Sequence, residues 1–346
     1  MAIRVSIVGA SGYGGGELAR LLAVHPEVQL VHLTAETKKD EEMSVLFPNL
    51  AGFVEGKTVE ADATRLAADS DVVFLSLPSG VAMKLAPELL KEDAKVIDLS
   101  PDFRLKAPHL YDRWYKMAHA SPEYLDEAVY GLPETHRVAI RTARLVANPG
   151  CYPAAAVIAL APLLQSGKVT RTGIIVDAKS GVSGAGRGLS MGTHFSEVNE
   201  NVKAYNVTTH RHTPEIEQEL SEVAGESITV TFTPHLIPMT RGILVTAYVP
   251  LAQKTSTADL MAVYREAYSS EPFVRIVTEG LPQTKATLGS NFCDVTVRVD
   301  ERAGLAISIA AIDNLVKGAS GCAIQNMNLM FGLPEETGLN VPGLYP

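Results

Sequence analysis

The chain has 346 residues, of which 20% are charged, with a formal net charge of −9 and an isoelectric point near 5.5. Because Lys and Arg are scattered rather than run together, this composition argues against a binding surface for nucleic acid or for an anionic membrane. Three cysteines cannot form a disulfide framework in so long a chain and are typical of a reducing cytosol, so we expect a cytoplasmic protein.

The N-terminal part of the chain predicts a parallel sheet. Its apolar stretch at 5–8 is too short for a signal peptide. Strand patterns alternate with helix patterns, the strands at 3–8, 28–33, 72–77 and 95–99 and the helices after the glycines of 9–16 and at 81–90. Strands that are apolar on both faces and alternate with helices indicate an α/β domain of Rossmann type, which we assign to residues 1–148.

The pattern of predicted secondary structure changes after residue 148. A chain of this length also favours two domains. Strand patterns then dominate, at 173–178, 228–233, 243–249, 292–299 and 305–312. We expect residues 149–313 to form an α+β domain that carries catalysis and oligomerisation, and a homo-oligomer, dimer or tetramer, built on its wide apolar sheet. The longest apolar run, 154–164, falls well short of the ~20 residues that cross a bilayer. The last helix pattern has no strand after it, so we expect residues 314–346 to complete the first domain.

A glycine-rich segment, 9–16, follows the first strand and opens the first helix. Glycines at this place let the backbone turn tightly and let a pyrophosphate approach the N–H groups of a helix N-terminus. The segment therefore predicts a dinucleotide site, and its candidate residues are Gly9, Ser11, Gly12, Tyr13, Gly14 and Gly15. The alternative is a simple glycine turn between strand and helix.

In dinucleotide-binding folds, residues at the end of the second strand contact the 2′ position of the adenosine ribose. An NAD enzyme usually has a carboxylate there, whereas this chain has Thr34, with Lys38 and Lys39 close behind. A hydroxyl with ammonium groups favours a 2′-phosphate and therefore NADP as the cofactor. Glu36 keeps open the alternative that the lysines are only a solvated loop.

Cys151 lies in the segment 148–153, Asn-Pro-Gly-Cys-Tyr-Pro, between a predicted strand and a predicted helix. A helix N-terminus lowers the pKa of a thiol, and its N–H groups can also hold an oxyanion. This position predicts a reactive nucleophile, the alternative being a small buried cysteine at a helix start. Cys293 and Cys322 lie in strand-like and helix-like apolar runs and are expected to be buried and inert.

Two histidines, His210 and His212, flank Arg211 immediately before a helix that Thr213 and Pro214 open. In an extended segment both side chains point to the same side, so one histidine could relay a proton while the other binds an anion. A zinc site is the weaker alternative, because no structural-zinc spacing is present and a metal would compete for the thiolate. We therefore predict no metal.

Two further loops favour ligand binding. Residues 179–187 are too rich in glycine for a packed element and could lie close to a planar ligand, either nicotinamide or an acyl group. Arg104 follows a parallel strand at its carboxyl end, where open α/β sheets bind ligands, and is a candidate clamp for a carboxylate or phosphate.

Together these segments resemble the N-acetyl-γ-glutamyl-phosphate reductase family, within the wider aspartate-semialdehyde dehydrogenase superfamily, nearly from end to end. The motifs that carry the resemblance are 9–15, 102–104, 130–134, 148–153, 179–187, 210–212 and 289–294. The most specific is Asn-Pro-Gly-Cys-Tyr-Pro joined to His-x-His-x-Pro-Glu-Ile. The resemblance implies NADPH-dependent reduction of N-acetyl-L-γ-glutamyl phosphate to its semialdehyde, with release of phosphate, in arginine biosynthesis.

The resemblance also implies roles for single residues. Cys151 corresponds to the nucleophile and His210 to the acid/base, while Arg104, Tyr205 and His212 correspond to substrate contacts. The glycine loop would hold NADP together with Thr34, Lys38, Ser180, Gly181, Ser290 and Asn291. Acyl transfer to the thiol would give a thioester, which hydride from NADPH reduces, with a proton from His210.

Two other functions stay open on the residues alone. One is a reductase of a different acyl phosphate, aspartyl phosphate or a carrier-bound aminoadipyl phosphate, since specificity lies in the pocket around Arg104 and Tyr205. Only the His-x-His segment argues against an aspartate-semialdehyde dehydrogenase. The other is a non-catalytic NADP-binding regulator that keeps the fold, for which Cys151 would be inert to alkylation.

Overall fold

The computed structural model describes residues 2–345. Its strands are β1 (Ile3–Val8), β2 (Val28–Thr34), β3 (Val72–Leu75), β4 (Lys95–Asp98), β5 (Val129–Tyr130), β6 (Leu145–Ala147), β7 (Ile174–Ser180), β8 (Lys203–Ala204), β9 (Val230–Leu236), β10 (Ile243–Pro250), β11 (Val274–Ile276), β12 (Cys293–Asp300) and β13 (Leu305–Ile312). Its α-helices are α1 (Tyr13–Leu22), α2 (Met43–Leu46), α3 (Ala63–Asp69), α4 (Ala82–Lys91), α5 (Pro108–Tyr115), α6 (Pro133–Ile140), α7 (Cys151–Gln165), α8 (Phe195–Val198), α9 (Thr213–Ala224), α10 (Thr257–Ala267), α11 (Thr284–Thr287) and α12 (Gly321–Met330). Short 3-10 turns lie at Pro48–Leu50, Pro122–Tyr124, Val182–Ala185 and Met191–Thr193, and a π-helical turn at Val316–Ser320.

The chain divides into two compact units. Unit 1 comprises residues 2–149 and Ala319–Asn340, and unit 2 comprises Gly150–Gly318 and residues 341–345. The sequence interpretation assigned the whole of 314–346 to the first domain. In the structure α12 belongs to unit 1, whereas residues 314–318 and 341–345 belong to unit 2. There the N–H of Leu344 donates to the carbonyl of Leu288 at 2.7 Å.

Unit 1 contains a six-stranded sheet in the order β2-β1-β3-β4-β6-β5, and every neighbouring pair is parallel. Strands β3 and β6 are buried along their whole length and consist almost wholly of apolar residues, as central parallel strands do. The predicted Rossmann-type α/β fold is therefore confirmed. The carboxyl ends of β1, β4 and β6 share one edge of the sheet, and open α/β sheets bind their ligands at this edge.

Unit 2 contains a seven-stranded mixed sheet in the order β11-β12-β13-β10-β7-β9-β8. The central pairs are antiparallel, and β7–β9 and β11–β12 are parallel. Helix α7 packs on β10 and β13 and is buried at every position except its two ends, which explains why its sequence is apolar all round. The α+β domain is as predicted.

The C-terminal segment that follows β13 does not form one continuous helix. A carboxylate oxygen of Asp313 accepts the N–H groups of Leu315 and Val316, and the chain then makes the π-helical turn before α12 begins. Such turns interrupt helices locally and are frequent at functional sites. Over residues 2–345, no helix has the length and apolar character to cross a membrane.

Candidate active site

Cys151 is the first residue of α7, directly after the strand β6 and the corner formed by residues 148–150. The N-cap is Gly150, in an extended conformation (φ −67°, ψ 153°), and as a glycine it has no side chain of its own to cap the helix. Of the three thiols, Cys151 is partly exposed and Cys293 and Cys322 are buried, as expected. A thiol here meets the positive end of a buried helix, which favours its thiolate form.

An aromatic and imidazole cluster surrounds the residue that follows the thiol. The ring of Tyr152 lies 5.6 Å from that of His210, 6.0 Å from that of His212 and 5.3 Å from that of Phe232, all edge to face. The Tyr205 ring lies 5.4 Å from the ring of His210, and its hydroxyl donates to the hydroxyl of Tyr152 at 3.1 Å. Unit 2 thus brings together three predicted residues, Tyr205, His210 and His212, beside the start of α7.

The imidazole of His210 is buried, with 8% of its surface exposed. Burial, with a smaller contribution from the Arg211 guanidinium, lowers the pKa of His210 to about 4. Its Nδ1 accepts the backbone N–H of His212 at 3.1 Å. A neutral ring that accepts at Nδ1 carries its proton on Nε2, so His210 can donate a hydrogen bond from that atom.

Both tyrosine hydroxyls are protonated. Burial raises the pKa of Tyr205 to about 12, against the hydrogen bond to Tyr152 and with a further contribution from the Cys151 thiolate. Burial also raises the pKa of Tyr152 far above its usual range, again with contributions from Tyr205 and from the thiolate. Each hydroxyl can therefore serve as a hydrogen-bond donor, and that of Tyr152 donates to the carbonyl of His235 at 3.3 Å.

At two positions of the unit 1 glycine loop, a side chain would collide with the backbone. Gly9 has φ +87°, and a Cβ there would lie 2.2 Å from the carbonyl oxygen of Ser76. A Cβ on Gly15 would lie 2.3 Å from the carbonyl oxygen of Gly9. At Gly12, the N-cap of α1, the nearest atom would be 3.6 Å away, and the first turn of α1 has no acidic residue. A turn held this way leaves an open, positive helix end at Gly12, which fits a pyrophosphate.

The predicted 2′-phosphate site lies at the end of β2. Thr34 is buried, and its carbonyl accepts the N–H groups of Gly9 and Ala10 at 3.0 and 2.8 Å, which ties β2 to the glycine loop. The ammonium of Lys38 lies 3.2 Å from Glu41, and the Lys39 ammonium lies 3.0 Å from Glu60. Both lysines are exposed, so these ion pairs are weak and can exchange partners with a bound phosphate.

Arg104 lies at the same edge of the unit 1 sheet and is 7% exposed. Its Nε donates to the carbonyl of Asn148 at 2.8 Å and its Nη2 to the carbonyl of Leu99 at 2.7 Å, so the planar fork is held by the ends of two strands. Burial and the neighbouring Asp102 carboxylate raise the pKa of Asp98, against hydrogen bonds from Ser100 and the positive charge of Arg104.

Four predicted cofactor residues in unit 2 are engaged in packing. A Cβ on Gly181 would lie 2.8 Å from the carbonyl oxygen of Thr240, and the Gly181 N–H donates to Gly242 at 2.9 Å. Ser180 is 2% exposed and Asn291 1%. Ser290 is fully buried, and its hydroxyl donates to the carbonyl of Thr287 at 2.9 Å.

Sequence reasoning missed two residues that touch the nucleophile's turn. Glu215 accepts the N–H of Gly150, and a Cβ on Gly318 would lie 2.8 Å from the Cβ of Cys151. Glu215 does stand inside the His-x-His-x-Pro-Glu segment, and that carboxyl in the first turn of a predicted helix was the available signal. Nothing in the local pattern marks Gly318, which contacts Cys151 across a separation of more than 160 residues.

Both parts of the chain match known families. The family model described as "Semialdehyde dehydrogenase, NAD binding domain" matches residues 4–143, and "Semialdehyde dehydrogenase, dimerisation domain" matches residues 151–314. Among solved structures, aspartate semialdehyde dehydrogenase II from Vibrio cholerae, complexed with ASA, has a TM-score of 0.73 at 18% identity, over 96% of this chain and 99% of that one. The enzyme from Candida albicans with NADP has a TM-score of 0.64 at 16% identity, over 96% and 99%. These structures share the fold of a two-domain semialdehyde dehydrogenase.

Full-length relatives give a finer assignment. N-acetyl-gamma-glutamyl-phosphate reductase from Pelotomaculum thermopropionicum is 53% identical and that from Symbiobacterium thermophilum 55% identical, each over 100% of both chains. The protein of that name from Desulforamulus reducens is 52% identical over 99% of this chain and 100% of its own. The chain belongs to the N-acetyl-γ-glutamyl-phosphate reductase family, as the motifs predicted.

Proposed function

We propose that this protein reduces N-acetyl-L-γ-glutamyl phosphate to N-acetyl-L-glutamate 5-semialdehyde with NADPH, releasing phosphate, as a step of arginine biosynthesis. The observation that carries the proposal is the partly exposed thiol of Cys151 at the start of α7, together with the neutral imidazole of His210, whose ring packs against that of the next residue, Tyr152. The acyl group follows from the relatives, which carry this name at more than half identity over their whole length.

The nucleophile accounts for the first half of the reaction. The Cys151 thiolate attacks the acyl carbon, and the N–H groups at the start of α7 stabilise the oxyanion of the tetrahedral intermediate. The C–O bond to phosphate then breaks, leaving a thioester on Cys151. When bound, NADPH supplies the hydride that takes this acyl group to the oxidation level of the aldehyde. Release of the aldehyde returns the electron pair to sulfur, so Cys151 ends as thiolate.

The net proton of the reaction ends on phosphate, and we assign its delivery to His210. At neutral pH this imidazole is uncharged and donates from Nε2. A bound acyl phosphate dianion would raise the pKa of the ring, because a nearby negative charge favours the charged imidazolium. His210 could then hold a proton and transfer it to the departing oxygen. His212 and Tyr205, with its protonated hydroxyl, would contact the substrate.

Arg104 would bind an anionic group of the substrate. Two backbone carbonyls orient its guanidinium, whose planar set of N–H groups suits a carboxylate or phosphate. A lysine could not replace Arg104, because a guanidinium presents several N–H groups in one rigid plane, whereas an ammonium on a flexible stem does not.

The cofactor would be NADP, held by the glycine loop with its pyrophosphate at Gly12. Lys38 and Lys39 support NADP over NAD, because they place two ammonium groups after β2. In addition, β2 itself contains no carboxylate that could bind the ribose diol of NAD. Thr34, Ser11, Tyr13 and Gly14 belong to the same region of unit 1, and we assign Ser180, Gly181, Ser290 and Asn291 to cofactor binding on the strength of the family resemblance.

The assembly would be a homo-oligomer built on the open face of the unit 2 sheet. Along β10, buried residues alternate with residues whose side chains are half exposed, and the half-exposed residues belong to the open face. Ile175, Tyr248 and Ile307 form one apolar row across β7, β10 and β13, because Tyr248 pairs with both of the others. Ile175 is 44% exposed, and the family model for this region is named for dimerisation. A second copy covering this row would bury it.

We assign the activity to the cytoplasm, since the three cysteines are not disulfide-bonded and a catalytic thiolate needs reducing conditions.

The test is the reaction in reverse. The protein is incubated with NADP, phosphate and either N-acetyl-L-glutamate 5-semialdehyde or aspartate semialdehyde, and NADPH is followed by absorbance. We expect phosphate-dependent NADPH formation with the acetylated substrate at least about tenfold faster. A preference for aspartate semialdehyde would support the rival substrate, and no turnover with either would support a non-catalytic regulator.

A further inference from the structure

Glu215 is a fully buried carboxylate whose role no family resemblance assigned. It stands in the first turn of α9, with 0% of its surface exposed. Its Oε1 accepts the backbone N–H of Gly150 at 2.7 Å. Gly150 is the N-cap of α7, so this bond fixes the residue from which the Cys151 thiol is presented.

The surroundings explain how a buried anion is tolerated at this place. In the first turn of α9, Glu215 lies near the positive end of its own helix, and Oε1 reaches the N-terminus of α7 as well. Each helix end stabilises negative charge, and a charge-assisted hydrogen bond is roughly twice as strong as a neutral one. The carboxylate thus bridges the starts of two packed helices.

The bond also limits which backbone groups can hold the oxyanion. The Gly150 N–H is engaged by Glu215, and Pro153 has no N–H. The other backbone N–H groups of this first turn belong to Cys151 and Tyr152. Their direction depends on the conformation of Gly150, which as a glycine has little conformational preference of its own.

Gly318 lies close against the nucleophile itself. A Cβ at this position would lie 2.8 Å from the Cβ and 3.2 Å from the Cα of Cys151. The N–H of Gly318 donates to the carbonyl of Asp313 at 3.0 Å, which holds this backbone in place. Cys151 is therefore in contact with a fixed backbone on one side, while Glu215 holds the preceding residue.

We propose that Glu215 is a positioning residue for the Cys151 nucleophile: its carboxylate oxygen holds Gly150 so that the thiol and the oxyanion donors face the acyl carbon. The proposal rests on the thiol chemistry proposed above. Positioning of this kind has large kinetic effects, since a misplacement of about 1 Å can cost on the order of 10²-fold in rate.

Three substitutions separate the acceptor from the charge. Glu215→Gln keeps an oxygen at the same reach and removes the charge. Glu215→Asp keeps the charge and withdraws the oxygen by about one C–C bond, ~1.5 Å, which breaks the bond to Gly150. Glu215→Ala removes both. The matched control is Glu219→Gln, which lies one turn further along α9, is 1% exposed and bonds to Gln218 rather than to Gly150.

The readouts are kcat and KM in the reverse assay, the rate of Cys151 alkylation by iodoacetamide without substrate, and the melting temperature. We expect Glu215→Asp and Glu215→Ala to lose about tenfold or more in kcat and in alkylation rate, with KM for NADP within about twofold. We expect Glu215→Gln and Glu219→Gln to keep at least about a third of both rates.

Retention of wild-type kcat and alkylation by a folded Glu215→Asp would overturn the proposal. The opposite order, with Asp active and Gln inactive, would also overturn it by showing that charge rather than the bond to Gly150 matters. If Glu215→Ala does not fold, the Asp and Gln pair decides. Alkylation needs no substrate, so a wild-type protein without reductase activity would refute the proposed function and leave this test in force.

Discussion

Gly12 and Gly15 allow the nucleotide loop to be tested with a pair of nearly identical substitutions. A methyl group on Gly15 would lie 2.3 Å from the carbonyl oxygen of Gly9 and 2.6 Å from the Cα of Ala10, so the backbone must shift. Overpacking of this kind costs about 1–3 kcal/mol. A methyl group on Gly12 would meet only the Gly9 carbonyl, at the ordinary contact distance of 3.6 Å, in an extended conformation that alanine adopts freely.

The two variants should therefore fail in different ways. Gly15→Ala should lower the melting temperature by at least about 3 °C, since about 1 kcal/mol corresponds to ~2–4 °C for a domain of this size. Gly12→Ala loses only the small advantage of glycine over alanine at an N-cap, about 0.5–1 kcal/mol, and should melt within about 3 °C of wild type. A methyl group at the N-cap of α1 adds bulk where a pyrophosphate would approach the helix N-terminus, so the Kd for NADPH should rise about tenfold or more.

The assays are a thermal melt without ligand and a titration of NADPH fluorescence. Wild-type affinity for NADPH in Gly12→Ala would refute the placement of the pyrophosphate at the start of α1. A melting temperature of Gly15→Ala equal to that of wild type would refute the packing argument for the loop itself.

Two further predictions concern charge. Replacing Lys38 and Lys39 together by alanine should raise the KM for NADPH about tenfold and leave the KM for NADH within about twofold. The reason is that only the 2′-phosphate, which NADH lacks, loses its partners. Equal effects on both cofactors would contradict the assignment. The burial of His210 in its neutral form predicts a pH-dependent stability. Its pKa is about 4 in the folded state against about 6.5 for an unperturbed histidine, so the unfolded chain binds an extra proton between these pH values. The contribution of His210 to stability should be unaffected above pH 6.5, and the free energy of unfolding should fall by roughly 3 kcal/mol as the pH drops to 4. His210→Gln should lack this loss in thermal melts from pH 7 to 4. Equal pH dependence of the melting temperature in wild type and variant would contradict the prediction.

Much of the fold was predictable because local sequence patterns mark the secondary-structure elements of both units. The fully buried strands β3 and β6 have continuous apolar runs, and glycines at 9, 12 and 15 mark a strand-to-helix turn without knowledge of the rest of the chain. The position of Cys151 was predictable for the same reason, since Pro and Gly before it mark a corner and the apolar run after it marks a buried helix.

What sequence reasoning did not find depends on contacts between distant segments. Glu215 reaches Gly150, and Gly318 meets Cys151, only because α9 and the π-helical turn pack beside the start of α7. The return of residues 341–345 to unit 2 has a similar origin. A Cβ on Gly343 would lie 2.4 Å from the carbonyl oxygen of Ala286, a close approach that no local pattern announces.

The neutrality of His210 is likewise a tertiary effect. The His-x-His spacing identified two imidazoles on one segment, but it could not say which of them loses its contact with water. The rings of Tyr152, Tyr205 and Phe232 enclose His210, and it is this enclosure that lowers its pKa.

The acyl-thioester of Cys151 is the central claim, and a phosphate-free burst tests it most directly. The enzyme is mixed with NADP and N-acetyl-L-glutamate 5-semialdehyde in the absence of phosphate, NADPH is followed, and the protein is then analysed by mass spectrometry. We predict a burst of about one NADPH per chain, an N-acetylglutamyl adduct on the peptide that contains Cys151, and further NADPH only when phosphate is added. Continuous NADPH formation without phosphate, or a burst that leaves Cys151 unmodified, would contradict the account.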